Sequence, residues 1–475
     1  MKRPKIAIYV QHRYDKKTYK VESYRVRIWA GIELVKHDLE LNGYKVDYCD
    51  IGTVTDYDIV MVSMTSYCDW FSFIAERVQW EKGNYKVLVG GAGFTNVRPF
   101  LEYFDAGVFG RAEGFTAKVI ESLVGGYELD QPQVVYSRSF SPLKAYALRQ
   151  VDRPYPHEFI NARGQNCTET AIGCKLRCLF CDFSWGRKFV TNDQDIKGEY
   201  NTANNTTEGT IFDFDLDHPE EWTKDGSYMI AGIDGFSERL RYMANKPIKN
   251  DRLRDFIIGS VQAPSVYIVK LFNIVGYPTE TSEDWKELVE VVKEADSLIT
   301  KKCDDREFFL IQVTSNHFKP GPVTPFAVVP TRYENLRWLP ADTVRQHPLD
   351  NPQYRHKIFD GKHLRLLFMQ STEALPQVTL NQLSVRGTEE DAEVLRKIAV
   401  SRGYWNASTK KRITTLERYL DVDRLFGTYT WENLPTRYLH GMTPYDKMAR
   451  VLDTRLRKHG GAEGAKIADN VMGVA

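Results

Sequence analysis

Two successive series of short apolar runs constrain the fold of this chain most. The first series lies in residues 1–125, and amphipathic stretches such as 23–42 and 69–82 separate its runs. Its apolar runs are KIAIYV (5–10), KVDYCD (45–50), DIVMVSMT (58–65), KVLVGG (86–91) and AGVFG (106–110). Short apolar runs that alternate with helical stretches predict a parallel sheet with helices on both faces.

Two glycine-containing turns follow the last strands of this series. GGAG follows the fourth strand and GRAEG follows the fifth. Ligands of open α/β sheets bind at the carboxyl ends of the strands, where these turns lie. We therefore predict an N-terminal Rossmann-like, doubly wound domain over 1–128, and whether it binds a ligand at these turns stays open.

The second series runs from 160 to 330, after a connection rich in Pro and Ser. Its predicted strands are 168–173, 209–216, 227–234, 265–276 and 308–316. Residues 281–296 form a clear amphipathic helix, with Thr281 or Ser282 as the N-cap and acidic residues in its first turn. Residues 331–475 carry more charge and a helical periodicity without a strand ladder, so we expect a mostly helical C-terminal region.

Composition places the chain among cytoplasmic proteins of two or three domains. Its 475 residues correspond to that number at about 150 residues per domain. The apolar runs are far too short to span a bilayer, so we expect no membrane partner. The start, MKRPKIAIYV, reads as a first strand and not as a signal peptide. The net charge of +1 argues neither for nor against a nucleic-acid partner.

Three cysteines lie close together in the segment GCKLRCLFCDFSW, at Cys174, Cys178 and Cys181. Thiolates are soft ligands suited to zinc or iron–sulfur clusters. Structural zinc sites need four ligands, usually in two separated pairs, and no second CxxC pair occurs here. Cys167 is a candidate fourth ligand. Three thiolates on a [4Fe–4S] cluster instead leave one iron open to a substrate or cofactor.

The C-x3-C-x2-C spacing, with an aromatic residue before the last cysteine, resembles the radical S-adenosylmethionine (SAM) superfamily. The resemblance is to the group with an N-terminal cobalamin-binding-type domain. It implies a partial (β/α)6 barrel, a [4Fe–4S] cluster on the three cysteines and SAM on the open iron. Reductive cleavage of SAM would then give a 5′-deoxyadenosyl radical that abstracts hydrogen from substrate. The electron would come from a flavodoxin- or ferredoxin-type donor, and Phe180 would pack beside the adenine.

Later motifs extend the resemblance over most of 165–326. In AGIDGFSERLRYMANK (231–246), Asp234 falls where the family contacts the SAM ribose, and Ser237 either binds the cofactor or caps a helix. In VKLFNIVGYPTETSEDW (269–285), Gly276 would let the backbone approach the adenine. Lys270 and Asn273 of the same strand either point into the barrel or face the helices.

One motif departs from the family pattern. The second barrel strand of the family often ends in Gly-Gly-Glu, which holds the SAM amino group, but this chain has TIFDFDLDHPEE. Asp213 or Asp215 would replace that carboxylate. A metal site made by Asp213, Asp215, Asp217 and His218 is an alternative, since alternate residues share a strand face.

The N-terminal domain lacks the usual cobalamin motif. Base-off binding uses Asp-x-His-x-x-Gly, whereas VQHRYDKKTYK keeps His12 without the matching Asp and Gly. We expect no tightly bound cobalamin, and a domain that forms one wall of the active site. Bound cobalamin, with radical methylation, is the alternative.

Basic and aromatic residues in the C-terminal third suggest that the substrate is a nucleobase. Arg402 and residues 410–412 (Lys-Lys-Arg) lie near Tyr404 and Trp405, a composition that suits stacked bases and phosphates. We expect a nucleobase substrate, flipped or single-stranded. A helical cap with buried aromatics, and a peptide or small-metabolite substrate, stay open. Outside enzymes, the rival hypothesis is a metal-stabilised binding module without catalysis. Cys49 and Cys68 cannot supply the second cysteine triad of tRNA methylthiotransferases.

Overall fold

A computed structural model describes most of the chain. The described residues are 3–10, 13–14, 21–22, 30–67, 69–161, 166–169, 171–174, 176–191, 209–211, 228–263, 266, 268–300, 308–332, 355–369, 375–400, 415 and 418–473. Two six-stranded sheets organise these residues. None of the described helices is both long enough and apolar enough to cross a membrane.

The first sheet confirms the predicted N-terminal fold. Its strands are β1 (Ile6–Tyr9), β4 (Val46–Cys49), β5 (Ile59–Ser63), β6 (Lys86–Gly90), β7 (Ala106–Val108) and β8 (Val134–Tyr136). They lie in the order β4-β1-β5-β6-β7-β8, and all neighbours are parallel except β7 and β8. Its helices are α1 (Ala30–Leu41), α2 (Asp69–Arg77) and α3 (Thr116–Gly125). Residues 134–136, expected as part of the connection, extend the sheet because VVY is fully buried.

Short ribbons lie outside both sheets. They are β2 (Arg13–Tyr14) with β3 (Val21–Glu22), β9 (Tyr146–Ala147) with β20 (Leu439–His440), β10 (Phe159–Ile160) with β11 (Asn166–Cys167), and β12 (Ala171–Ile172) with β13 (Val190–Thr191). Turns of 3-10 helix lie at Val54–Asp56, Arg98–Tyr103, Ser137–Ser139 and Pro325–Val328.

The second sheet has the parallel core expected of the second series. Its strands are β14 (Gly209–Ile211), β15 (Tyr228–Gly232), β16 (Ile268–Val275), β17 (Phe309–His317), β18 (Arg355–Asp360) and β19 (Leu364–Met369). The order is β14-β15-β16-β17-β19-β18, and β18 alone among these pairs antiparallel. Its helices are α4 (Asp182–Trp185), α5 (Glu238–Met243), α6 (Asn250–Gln262) and α7 (Ser282–Leu298). Thr281 caps α7 through a capping box with Asp284, as the sequence predicts.

Two expectations about strands were wrong. The segment 168–173 is not a strand of the second sheet: its residues 171–172 pair antiparallel with 190–191. Gly173, in a left-handed conformation (φ 72°), turns the chain so that the cysteine segment loops out and returns beside β12. The C-terminal third also holds strands, because the hairpin β18–β19 joins the sheet through β17.

The rest of the described C-terminal region is helical. Its helices are α8 (Leu375–Arg386), α9 (Glu389–Val400), α10 (Val422–Phe426), α11 (Tyr445–His459) and α12 (Gly461–Met472). Arg386 is fully buried at the end of α8 and donates to the carbonyls of Ala327, Val329, Leu425 and Gly427. One guanidinium therefore joins the segment after β17 to the segment after α10.

Candidate functional site

The cysteine segment lies over the carboxyl edge of the second sheet. The Leu179 N–H donates to the Ala244 carbonyl at 2.9 Å, and the Phe326 N–H donates to the Leu179 carbonyl at 3.2 Å. Ala244 follows β15 and α5, and Phe326 follows β17. Leu179 is fully buried between them. The backbone of one residue between Cys178 and Cys181 thus fixes the loop at the edge where parallel sheets bind ligands.

Asn245 holds the first half of the loop. Its side-chain Nδ2 donates to the carbonyls of Arg177 (2.9 Å) and Leu176 (3.3 Å). Asn245 has a left-handed backbone (φ 59°), which Asn tolerates better than most residues. Its place directly after α5 therefore aims the amide at the cysteine loop.

The short helix α4 holds the second half of the loop. Trp185 Nε1 donates to the Cys178 carbonyl at 3.0 Å, and Ser184 Oγ donates to the Cys181 carbonyl at 2.9 Å. Both side chains are buried. The backbone at two of the three cysteines is therefore held before any ligand binds.

The surroundings of Cys181 disfavour a free thiolate. Burial raises the pKa of its thiol, and the neighbouring Asp182 carboxyl raises it further. Burial also raises the pKa of Asp182 to about 6, while a hydrogen bond from the Tyr67 hydroxyl opposes that rise. A thiol in such surroundings becomes a thiolate most readily when a metal centre binds it.

The three thiols do not form a site for a single ion. Within the part of the chain that the structure describes, no three His, Cys, Asp or Glu side chains converge to hold one metal ion. A mononuclear zinc site needs its ligands within about 2.3 Å of one point. An iron–sulfur cluster makes a different demand, because each thiolate binds its own iron. The three thiols on one loop, which β12, Asn245 and α4 hold in place, remain the predicted ligands of such a cluster.

Asp234 lies at the carboxyl end of β15 and has a partner in the protein. Its Oδ2 accepts a hydrogen bond from Lys246 Nζ at 2.6 Å. Its backbone is left-handed (φ 51°), and its carbonyl accepts a hydrogen bond from the Tyr277 hydroxyl at 2.8 Å. The Tyr277 ring lies 6.5 Å from that of Phe180. Asp234 and Phe180 are therefore linked through the fully buried Tyr277.

Gly276 follows β16 in a conformation that favours glycine (φ 94°). A Cβ at this position would lie 2.9 Å from His317 Nε2 and 3.1 Å from the Arg332 carbonyl oxygen. The close approach that the glycine allows is thus to His317. Burial lowers the pKa of His317 to about 3, so the imidazole is neutral at ordinary pH.

Three other residues that the sequence proposed for the cofactor site take different positions: Ser237, Asn273 and Lys270. Ser237 is fully buried and caps α5, accepting from the Leu240 N–H and donating to Asp284. This is the capping role that the sequence left as an alternative. Burial alternates along β16, and Asn273 lies on the face that packs against α6 and α7, while Lys270 lies on the opposite, inner face.

Several predicted positions lie outside the described residues. They are His12, Asp213, Asp215, Asp217, His218, Arg402, Tyr404, Trp405, Lys410, Lys411 and Arg412.

A cavity of about 310 Å³ opens at the carboxyl edge of the first sheet. The ends of β5, β6 and β7 form its floor, and the turns at Gly91 and Gly110 lie beside them. Phe183 and Arg187, just beyond the cysteine loop, form its far wall. The described lining contains no histidine. The cavity therefore lies beside the two glycine turns noted in the sequence.

Sequence reasoning missed three residues around the site. Lys246 was visible as the last residue of the ANK motif, but its ion pair with Asp234 was not. Arg187 follows the cysteines closely, in SWGRK, yet nothing in the pattern marks it as lining a cavity. Tyr67 lies 115 positions before its partner Asp182, and no local signal connects them.

These features define an α/β protein of two sheets, with a thiol-rich loop at the carboxyl edge of the second. No family model matches the chain. It is 22% identical over 338 residues to the uncharacterized protein MJ0966 of Methanocaldococcus jannaschii, covering 61% of this chain and 72% of that protein.

Two solved structures of the cobalamin-dependent S-adenosylmethionine radical enzyme OxsB are also similar. The structure with aqua-cobalamin and S-adenosylmethionine bound matches at a TM-score of 0.38 and 10% identity, over 99% of this chain and 84% of that one. The apo structure matches at 0.37 and 10% identity, over 61% of this chain and only 51% of that one. Likeness at TM-scores this low does not identify a function, so the function is inferred from the residues of the chain itself.

Proposed function

We propose that this protein is a radical SAM enzyme whose Cys174, Cys178 and Cys181 hold a [4Fe–4S] cluster. The observation that carries the proposal is the position of the cysteine loop. It is fixed by Leu179 and Asn245 over the carboxyl edge of a parallel sheet. The chemistry of such sheets, like that of closed barrels, is sited at this edge.

The cluster and its SAM would supply a 5′-deoxyadenosyl radical, and the chain's own residues would position the nucleoside. Asp234, Phe180 and Gly276 follow or neighbour the ends of the two central strands. A carboxylate at Asp234 accepts two hydrogen bonds and so suits a ribose diol. In this role Asp234 would exchange part of its contact with Lys246 for the ribose hydroxyls.

The inner face of the second sheet is the candidate substrate wall. Lys270, Phe272 and Ile274 of β16 are half-buried on this face, and Thr314 of β17 lies beside Phe272. Their partial exposure contrasts with the fully buried residues on the helix side. We infer that substrate lies against this face and loses a hydrogen atom from carbon. Our proposed substrate is a nucleobase, and a peptide or small metabolite is the alternative.

The experiment is anaerobic reduction with dithionite in the presence of SAM. Release of 5′-deoxyadenosine that requires the three cysteines is the expected result. A protein that binds metal yet never cleaves SAM would support the rival hypothesis of a metal-stabilised binding module.

A further inference from the structure

One cation in the cavity beside the first sheet, Arg187, contacts an aromatic ring but forms no ion pair with an acidic residue that the structure describes. Arg187 lines this cavity, and its guanidinium carbon lies 4.3 Å from the centroid of the Phe183 ring. Across the described residues, no hydrogen bond or ion pair joins its guanidinium to a carboxylate or carbonyl. Burial lowers the pKa of Arg187 and repulsion by Arg111 lowers it further, while attraction to the Asp182 and Glu169 carboxylates opposes both effects without a direct hydrogen bond. A guanidinium keeps its charge in proteins, and a partly buried charge such as that of Arg187 is stabilised when an anion pairs with it.

The two acidic residues that line this cavity, Glu113 and Glu169, already form ion pairs with Arg111. Arg111 Nε donates to Glu113 at 2.6 Å, and its two Nη atoms donate to Glu169 at 2.5 and 2.7 Å. Glu169 also accepts the Tyr155 N–H at 2.8 Å. Two carboxylates thus surround Arg111, and neither of them forms a hydrogen bond with Arg187.

The remaining walls suit the body of an organic molecule. Ile32, Val35, Met61, Leu88 and Val108 contribute apolar surface to the cavity. Its volume of about 310 Å³ lies at the lower end of the range for small-molecule sites. The strand ends and glycine turns beside it are where open α/β sheets bind ligands.

We propose that this cavity binds a small organic oxyanion, a carboxylate or phosphate ester with an apolar body, whose acid group pairs with Arg187. A guanidinium binds either group through two parallel hydrogen bonds. This binding site goes beyond the radical chemistry and does not depend on it.

The test is calorimetric titration of the full, anaerobically reconstituted chain with four probes of equal chain length. The probes are hexanoate, hexyl phosphate, hexanol and hexylammonium. We expect the two anions to bind about ten- to a hundredfold more tightly than hexanol, the range for hydrogen bonds to a charged group, and hexylammonium not to bind. Preference for hexyl phosphate would identify a phosphate ester as the natural chemistry, and preference for hexanoate a carboxylate.

Four variants test whether the anion binds at Arg187 inside this cavity. Arg187→Met should abolish the preference for anions and Arg187→Lys should keep part of it. Arg254→Met is the matched control, because Arg254 is satisfied on α6 by Asp251, Asp255 and Glu294. Gly31→Phe should block the cavity without touching Arg187, since a Cβ at Gly31 meets no atom within 4 Å.

Equal affinity for hexanoate and hexanol, or an anion preference that survives Arg187→Met, would overturn the proposal. So would a wild type that binds none of the probes, or unchanged binding in Gly31→Phe. Iron content and SAM cleavage, measured on the same samples, show separately whether the radical chemistry fails.

Discussion

Lys246 Nζ donates a hydrogen bond of 2.6 Å to Asp234 Oδ2 at the carboxyl end of β15. Both side chains are largely buried, with 11% and 19% of their surface exposed. The carboxylate that the sequence assigns to the SAM ribose is therefore already oriented by a lysine of the same motif.

Replacing Asp234 by Asn tests the ribose role. Asn tolerates the left-handed backbone of this position, so the change removes the carboxylate without straining the chain. We expect SAM affinity to fall about tenfold, the usual loss for a hydrogen bond to a charged acceptor. The measurement is calorimetry on protein of unchanged iron content. Lys246→Met, which removes the orienting lysine but keeps the carboxylate, should weaken SAM binding less than Asp234→Asn does. Equal affinity in Asp234→Asn and wild type would refute the ribose role.

The cysteine triad is tested by metal analysis. The wild type should be brown under anaerobic conditions and contain an oxygen-sensitive [4Fe–4S] cluster. Replacing Cys174, Cys178 and Cys181 by Ala should remove both iron and sulfide, because their thiolates are the proposed ligands. Cys167→Ala is the control and should keep both, which would also exclude Cys167 as a fourth ligand. Stoichiometric zinc without sulfide in the wild type would end the cluster hypothesis.

Cobalamin is expected not to bind tightly. The chain lacks the Asp-x-His-x-x-Gly motif, and the described lining of the cavity at the first sheet offers no imidazole. After incubation with hydroxocobalamin and gel filtration, the protein should show no corrinoid absorbance. Stoichiometric absorbance would contradict this expectation and point towards radical methylation.

Nucleic-acid binding, if a nucleobase is the substrate, should be weak and strongly salt-dependent. The net charge is only +1, so the overall attraction for phosphates is weak, and binding that rests on local charge contacts is lost as salt rises. Fluorescence anisotropy with single-stranded DNA and RNA, from low to physiological salt, measures it. No binding at low salt, together with no stimulation of SAM cleavage by nucleotides, would favour a peptide or small metabolite.

Arg386 should contribute strongly to stability. Arg386→Met leaves four backbone carbonyls of two segments without their buried donor. We expect the free energy of unfolding to fall by about 3 kcal/mol or more, as measured by denaturant titration. Arg450→Met is the control: Arg450 forms an exposed pair with Asp446, and its loss should change stability by less than about 0.5 kcal/mol. Equal effects of the two changes would show that the buried guanidinium does not join the segments.

Local patterns in the sequence were enough to predict the class of fold and the position of the candidate site along the chain. Apolar runs of strand length predicted β1, β5, β6, β16 and β17, because burial on both faces makes a parallel strand read as a continuous apolar run. The Thr281 cap and the spacing of the three cysteines are also local features. Neither needs knowledge of distant residues.

The tertiary structure was needed to show which residues meet and which face each one takes. The sequence of β16 is mostly apolar on both faces and carries no pattern that tells its inner face from its outer one, so Asn273 and Lys270 could be assigned only from their neighbours. The hairpin β18–β19 joins the second sheet by pairing with a strand far back in the chain. Likewise, Arg187 forms no ion pair with Glu113 or Glu169, because Arg111 already binds both of them. Such competition for partners depends on distances in space, which residue spacing does not specify.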